Sequence, residues 1–466
     1  MISAAQTRGL QMQARRTYRV AWWTFFVLGA VCSTVMFVFP DWLASTLINS
    51  PDAAFSIQAL APAVLLCCIT ATYRGLTQGY GNMTPTTISQ ILEVLAKVAA
   101  GLALAAYLIK AGYDKPVAVA GAIFGVTVGS LAALLYMLIY KMRNYRFDTV
   151  SQPDVPESAG TIFKNLLSIG IPIALGSVAL SLINLIDAGL CMTRLQSSVG
   201  YTYSHAKTLY GVYGKAQTLF NLPAAFITPL TVSIVPAISA KLVMDARGEA
   251  GKISEDSLRI AMAIALPMGV GLAVLCEPIM NVIYPNAHES GPLLLCLLGV
   301  ASVFVCFSLM STAVLQATGK ERLTLYSIVA GGLVKITINW FIVAIPSINI
   351  YGAAIGTICC YVTMCVLNLI FINRSFEKGL SMKNIFVRPA VPSAIMGVIA
   401  LAVYYGVMNL LLSSDSRLMM ALVMCIAIGV AVIVYAVSVI KLRVITTEDM
   451  KLIPKGEKIA KLLHMA

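Results

Sequence analysis

Gln78-Gly79-Tyr80-Gly81, followed by Ser89 and Lys97, returns further along the chain as Gln316-Ala317-Thr318-Gly319, followed by Ser327 and Lys335, each displaced by 238 positions. Neighbouring stretches repeat with it. Arg19-Val20-Ala21 pairs with Arg259-Ile260-Ala261 at an offset of 240, and Gly121-x-x-x-Gly125 pairs with Gly352-x-x-x-Gly356 at 231. Small residues recur in any bundle of apolar helices, but polar and glycine positions held in register over such lengths point to a duplicated helical unit.

Around these motifs the chain is apolar almost throughout: 59% hydrophobic, 11% charged, mean hydropathy +0.85. That excludes a water-soluble domain, whose surface needs more polar cover. The useful unit is the stretch of about 20 residues that crosses roughly 30 Å of hydrocarbon. Twelve are predicted, at 20–45, 56–79, 86–109, 116–140, 166–193, 206–241, 257–284, 291–317, 323–346, 351–373, 386–412 and 418–440. The fold class is therefore an all-α polytopic membrane protein, and the first four spans repeat as the seventh to tenth. The fifth and sixth would then have counterparts before residue 1, and Ile2-Ser3-Ala4 mirrors Ile238-Ser239-Ala240. The expected parent plan is fourteen spans, two six-helix lobes plus two helices, with this chain short of the first two through loss or a misplaced start. The expected domains are 1–148, an incomplete lobe of four helices; 149–376, a lobe of six; and 377–466, two more helices and an amphipathic basic tail. Each half holds an even number of spans, so the repeat is parallel, as in alternating-access transporters.

The net charge of +13 lies in loops. Of 33 Lys and Arg, 24 fall on one side of the spans and five (Lys110, Lys115, Arg194, Lys207, Arg417) on the other, which predicts both termini in the cytoplasm and no nucleic-acid role. Arg15, Arg16 and Arg19 precede too long an apolar run, without a small-residue cleavage site, to be a signal peptide. The basic tail, with Lys441, Arg443, Lys451, Lys455, Lys458 and Lys461, is expected to lie on the inner leaflet. The eleven cysteines sit in apolar segments without metal-ligand spacing. With no phosphate-cradling glycine loop, no G-x-S-x-G and only three histidines, nothing reads as an enzyme or calls for a cofactor.

Polar groups inside spans are costly and mark function. Gln90, Glu93 and Lys97 share one helix face, where Glu93 and Lys97 either pair or meet substrate. Arg74 lies one turn inside the end of the second span and either snorkels or faces inward. Lys335 and Asn339 lie one turn apart; pseudo-symmetry with Lys97 could make two walls of an anion site. Asn184 and Asp187 share a face at a spacing of three, Asp187 being a candidate for ion coupling or a partner for Lys or Arg. The sixth span, 36 residues or about 54 Å if straight, must tilt, protrude or break; Gly211, Gly214, Pro223, Pro229 and Pro236 favour a kink, and Lys215, Gln217 and Asn221 make it a candidate cavity wall.

Tyr73-Arg74-Gly75-Leu76-Thr77-Gln78-Gly79, running through Asn82-Met83-Thr84-Pro85-Thr86 to Ser89-Gln90-Ile91-Leu92-Glu93, resembles the stage V sporulation protein B family, as do Asn221-Leu222-Pro223 and Val235-Pro236-Ala237-Ile238-Ser239. This is the polysaccharide-transporter branch of the multidrug/oligosaccharidyl-lipid/polysaccharide exporter superfamily, related to the lipid II flippase MurJ. The resemblance implies a MATE/MurJ-like two-lobe bundle in the bacterial cytoplasmic membrane that flips undecaprenyl-pyrophosphate-linked sugars. It also implies functional basic residues on two first helices that have no match here.

The expected function is thus a lipid-linked oligosaccharide or peptidoglycan-precursor flippase working by alternating access. Basic groups within the spans (Arg74, Lys97, Lys215, Lys335) outnumber acidic ones (Glu93, Asp187), which suits a pyrophosphate. Arg74 and Lys335 are expected to hold phosphate, Gln90 and Glu93 to orient sugar or pair with Lys97, and Lys97, Lys215, Asn221 and Asn339 to line the substrate site. Asp187 and Asn184 are the expected ion-coupling pair. The expected partners are the lipid-linked sugar, the bilayer and a coupling cation, H+ or Na+, with the chain acting as a monomer. The rivals are a cation-coupled multidrug antiporter and a non-transporting scaffold for envelope synthesis.

Overall fold

The computed structural model describes residues 10–48, 51–80, 82–144, 156–243, 246–285, 288–376, 380–410 and 417–442, with the isolated positions 2, 5 and 444. Gly81, residues 145–155, the side chain of Pro236 and the basic tail (Arg443 and the lysines from 451 onward) lie outside the described residues. Among those described the secondary structure is helical, without strands: α1 (Gln11–Val38), α2 (Ala54–Gly79), α3 (Thr84–Lys110), α4 (Lys115–Asn144), α5 (Ala159–Ser197), α6 (Tyr203–Phe220), α7 (Leu222–Val243), α8 (Arg247–Val274), α9 (Cys276–Ile283), α10 (Ser290–Ala317), α11 (Glu321–Ile342), α12 (Tyr351–Asn373), α13 (Arg388–Leu410) and α14 (Arg417–Lys441). Ten helical stretches of the described residues are long and apolar enough to cross a membrane. They correspond to ten of the twelve predicted spans, and the chain is a multi-pass membrane protein.

The other two predicted spans show what the sequence does to a helix. The fifth becomes α5, 39 residues in one α-helix. The sixth breaks, at Asn221, into α6 and α7. Pro223 has no N–H to give and is accommodated only in the first turn of a helix, so the chain restarts just before it. Asn221 closes α6, its side-chain amide donating to the Gln217 carbonyl at 2.9 Å. A second break, which the apolar run at 257–284 conceals, separates α8 from α9 at Leu275, again with a proline, Pro278, in the first turn that follows.

The chain packs as two compact units, Met1–Ser177 and Val178–Ala466. That packing boundary lies inside α5, whereas the expected boundary at 148/149 is one of sequence repetition; the two are different quantities.

In the first unit α2 packs on α1 and α4, and α3 lies against α4. Its core is small: Tyr18, Tyr73, Leu76, Leu134 and Met137. Most of α3 turns outward, with Leu95 62% and Leu102 69% exposed; apolar side chains on this scale are stable only in hydrocarbon. Glycine sets the closeness of α3 and α4. A Cβ on Gly125 would fall 2.6 Å from the Gly101 Cα and from the Lys97 carbonyl oxygen.

In the second unit α10 is the central helix, with Leu298, Phe307, Met310 and Val314 fully buried against α6, α7, α8 and α12. The α13 and α14 helices pack on each other, and α13 also packs on α8. Tyr435 of α14 donates its hydroxyl hydrogen to the Ala263 carbonyl, and Arg417 donates twice to the Val282 carbonyl, at 2.9 and 2.7 Å.

The duplication is visible in the packing of each unit taken separately. Gly125 of α4 sits against Gly101 of α3; in the second unit its counterpart, Gly356, sits against Asn339, the counterpart of Gly101. Gly121 faces Leu104, and Gly352 faces Ile342, again equivalent positions. One helix pair has been used twice, and where the first unit has a glycine at 101 the second has the buried Asn339.

Candidate functional site

In the first unit Ser89 and Glu93, four residues apart on α3, lie one above the other. Both reach Arg74 of α2. The Arg74 Nε donates to Ser89 Oγ at 2.9 Å, and Nη2 meets Glu93 Oε2 at 2.7 Å. Ser89 passes its own hydrogen to the Thr86 carbonyl at 2.8 Å, and the Thr77 and Thr86 hydroxyls lie 3.3 Å apart beside it. The planar guanidinium suits two partners at once and keeps further N–H groups for another acceptor. Arg74 and Glu93 are 20% and 24% exposed, so the pair is accessible from one side.

The expected pairing of Glu93 with Lys97 along α3 is therefore corrected: Glu93 turns to Arg74 on the neighbouring helix. The reason is geometric: the planar guanidinium reaches Ser89 and Glu93 at once, which a lysine ammonium one turn away on the same helix does not. Lys97 has no carboxylate within ion-pair distance among the described residues and is half-buried. Behind it stands Gly129, where a Cβ would meet the Glu93 carbonyl at 2.5 Å and Lys97 Cβ at 2.9 Å. Gln90 is exposed on the same helix.

The second unit holds a tighter cluster. The Lys335 Nζ lies 2.9 Å from Asp187 Oδ2, with side chains only 5% and 3% exposed. Asn339, one turn along α11, donates its amide to Asp187 Oδ1. Cys191, one turn along α5, points its thiol at the same oxygen at 3.8 Å. Buried charge persists only where the partner is charged and the remaining lone pairs are bonded; here three groups from two helices converge on one carboxylate. Gly356 makes the room, because a Cβ there would overlap Asn339 Oδ1 at 2.0 Å. Nearby, the Tyr213 hydroxyl lies 3.0 Å from Thr357 Oγ1, whose hydrogen goes to the Ala353 carbonyl at 2.9 Å.

Lys335, expected to face an anion, thus has its ammonium on Asp187, and Asp187, expected to bind an ion, already holds that ammonium. The structure does not bring Asn184 to Asp187: Asn184 is exposed and Asp187 buried on the same helix. Lys215 is exposed, its ammonium 5.5 Å from the centre of the Tyr284 ring. Asn221 marks the break between α6 and α7. Sequence reading passed over Cys191, Tyr213, Thr357 and the hydroxyl of Ser89 as ligands. Only Cys191, at a spacing of four from Asp187, and Ser89, at four from Glu93, left a detectable trace.

Comparison with known proteins agrees with this architecture. The family model described as "Polysaccharide biosynthesis protein" matches residues 2–241. Stage V sporulation protein B of Bacillus subtilis (strain 168) is 23% identical over 398 residues, covering 82% of this chain and 74% of its own. Lipid II flippase MurJ of the same organism is 23% identical over 456 residues, covering 93% and 82%. Among solved structures, lipid II flippase MurJ in an inward closed conformation aligns with a TM-score of 0.62 at 14% identity, covering 94% of this chain and 88% of the other. An inward-facing multidrug resistance MATE family transporter of the MOP superfamily aligns with a TM-score of 0.64 at 14% identity, covering 80% and 85%. The fold is that of the MOP exporter superfamily, and the chain belongs to the polysaccharide biosynthesis protein family.

Proposed function

We propose that this protein is a flippase for lipid-linked sugars, moving an undecaprenyl-pyrophosphate-linked oligosaccharide or peptidoglycan precursor across the bacterial cytoplasmic membrane by alternating access, with both termini cytoplasmic. One observation carries the reading: Glu93 and Asp187, the two carboxylates singled out in the third and fifth spans, are each neutralised by a basic partner, Arg74 and Lys335, while Lys97 and Lys215 have no carboxylate partner among the described residues. The charge left over is positive. A pyrophosphate would meet compensating cations, whereas a cationic drug would meet no open carboxylate at these positions. The names of the relatives support the same cargo.

In this reading Arg74, held on Ser89 and Glu93, presents its remaining N–H groups to phosphate, and Gln90 and Lys97 extend the polar face of α3. Lys335, Asp187 and Asn339 fix α11 against α5. Asp187, the expected coupling residue, is occupied by Lys335, and transport is driven by an ion gradient, membrane potential or consumption of the product.

The test is in cells that depend on this chain for export of the precursor. Arg74→Gln and Lys97→Gln, expressed and inserted at parental level, should each cut exposure of the lipid-linked precursor at the outer surface, while drug sensitivity stays unchanged. Parental exposure in both variants, or loss of drug efflux instead, overturns the assignment in favour of an antiporter or a scaffold.

A further inference from the structure

A cavity of about 360 Å³ opens in the first unit, lined by Arg15, Tyr18, Arg19 and Trp22 of α1, Tyr73 of α2 and Lys141 of α4. The four α1 residues follow the 0, 3, 4, 7 spacing of one helix face. Lys141 carries its ammonium 4.9 Å from the Tyr18 ring centre and 5.4 Å from that of Tyr73, and the two rings are 6.1 Å apart. The two tyrosines are buried, so a flexible lysine is held with its charge at the cavity wall, its stem away from water. Three cations and no carboxylate stand among the described lining residues.

The other half of the chain shows that the scaffold does not require this chemistry. By the repeat offsets, the equivalents of Arg15, Tyr18, Trp22 and Lys141 are Glu255, Leu258, Met262 and Ile372. Leu258, Met262 and Ile372 are fully buried in an apolar cluster with Ile234 and Ile238 of α7, and Glu255 accepts from the Asn384 amide at 2.9 Å. The same place in the second unit is filled by aliphatic side chains, and the equivalent of Arg19, Arg259, is buried and paired with Asp256 at 2.9 Å. Among the described residues the first unit sets two tyrosines, a tryptophan and two further cations, Arg15 and Lys141, around a cavity where the second unit has aliphatic packing.

We infer that this cavity is a binding site for a phosphoryl head group, separate from Arg74 and Glu93. Guanidinium and ammonium groups together match the several oxygens of a phosphate or pyrophosphate. The cavity adjoins the start of the apolar part of α1 and the end of α4, where head groups lie, and its volume falls in the range of small-ligand sites. The phosphate could belong to a bilayer phospholipid, a polyprenyl pyrophosphate or free pyrophosphate. The inference does not depend on the flippase reading, since a phospholipid site serves any membrane protein of this fold.

Titration of the purified chain in uncharged detergent, followed by the fluorescence of Trp22 and its neighbours, tests it with four probes: dioctanoyl phosphatidylglycerol, farnesyl pyrophosphate, sodium pyrophosphate, and dioctanoyl diglyceride, which lacks phosphate. At least one phosphate probe should bind saturably and the diglyceride should not. Lys141→Gln and Arg19→Gln should each weaken that binding about tenfold. Lys141→Arg should retain it, and Arg143→Gln, exposed on the same helix end, should leave it unchanged. Tightest binding of phosphatidylglycerol, farnesyl pyrophosphate or free pyrophosphate assigns the source and supports the site. If no phosphate probe saturates, or if Arg19→Gln binds as the parent does, the inference falls; Arg19 is exposed, so its replacement leaves the fold intact.

Discussion

Removing one partner of the Asp187–Lys335 pair should be far more harmful than removing both. Asp187 and Lys335 are 3% and 5% exposed and 2.9 Å apart. Asp187→Asn strands an ammonium in a site with almost no water, and Lys335→Met leaves the carboxylate with only the Asn339 amide and the Cys191 thiol. Breaking a buried pair from one side costs roughly 3–5 kcal/mol, whereas replacing both charges by apolar groups of similar volume is often neutral. Each single variant should therefore lose about 3–5 kcal/mol, and Asp187→Leu/Lys335→Met should return to within about 1–2 kcal/mol of the parent. The assay is heat-induced loss of the monodisperse peak of the detergent-purified protein, run as a double-mutant cycle. Because the pair is closed on itself, the double variant should also transport. Singles as stable as the parent, or a double as damaged as the sum of the two, would refute the pairing; a stable double that no longer transports would show that the charges themselves are used.

Glycine substitutions should separate contact from mere helicity. Gly125→Ala drives a methyl to 2.6 Å from backbone atoms of α3 and should destabilise by about 1–3 kcal/mol, whereas Gly211→Ala, with nothing within 4 Å, should be neutral or stabilising by up to about 1 kcal/mol; thermal unfolding compares them. Gly356→Ala should be rescued in part by Asn339→Gly, which recreates the Gly101 arrangement of the first unit, and a double variant no more stable than Gly356→Ala would break the structural repeat. Tyr435→Phe, losing its hydrogen bond to Ala263, should cost about 1 kcal/mol in the same assay. In a cysteine-free background, a cysteine at Tyr113 should react with an impermeant maleimide from outside intact cells and one at Arg143 should not; the reverse pattern inverts the topology.

Local arithmetic made much of this fold legible. Constant offsets exposed the duplication because its markers, Gln78, Ser89, Lys97 and their counterparts, are polar or small in an otherwise apolar text. That the sixth span could not run straight was readable from its length and its prolines, Pro223 among them, since proline acts on its own backbone, but the place of the break, at Asn221, was not. The second break, at Leu275, was hidden by a continuous apolar run. Pairings were read less well. Spacing along a helix sees only neighbours three or four residues away, so Glu93 looked toward Lys97 when its partner stands on another helix, 19 residues earlier. Asp187 and Lys335 are 148 positions apart, and sequence could offer only the alternative that such a carboxylate is held by Lys or Arg. The α1 wall of the cavity, Arg15 to Trp22, was in plain view as a helix face, but it looked like a topogenic charge cluster until Tyr73 and Lys141 closed it.

The central claim is that the chain moves a pyrophosphate-linked glycolipid between leaflets. The direct measurement places purified protein in liposomes carrying a fluorescent undecaprenyl-pyrophosphate disaccharide and follows how much of the sugar becomes accessible to an added glycosidase or reducing quencher. The account predicts that accessible sugar rises from the outer-leaflet half toward the whole only when protein is present, and that Arg74→Gln slows the rise. Equal, slow accessibility with and without protein, in vesicles where the same preparation exchanges a cationic dye for protons or sodium, would contradict it.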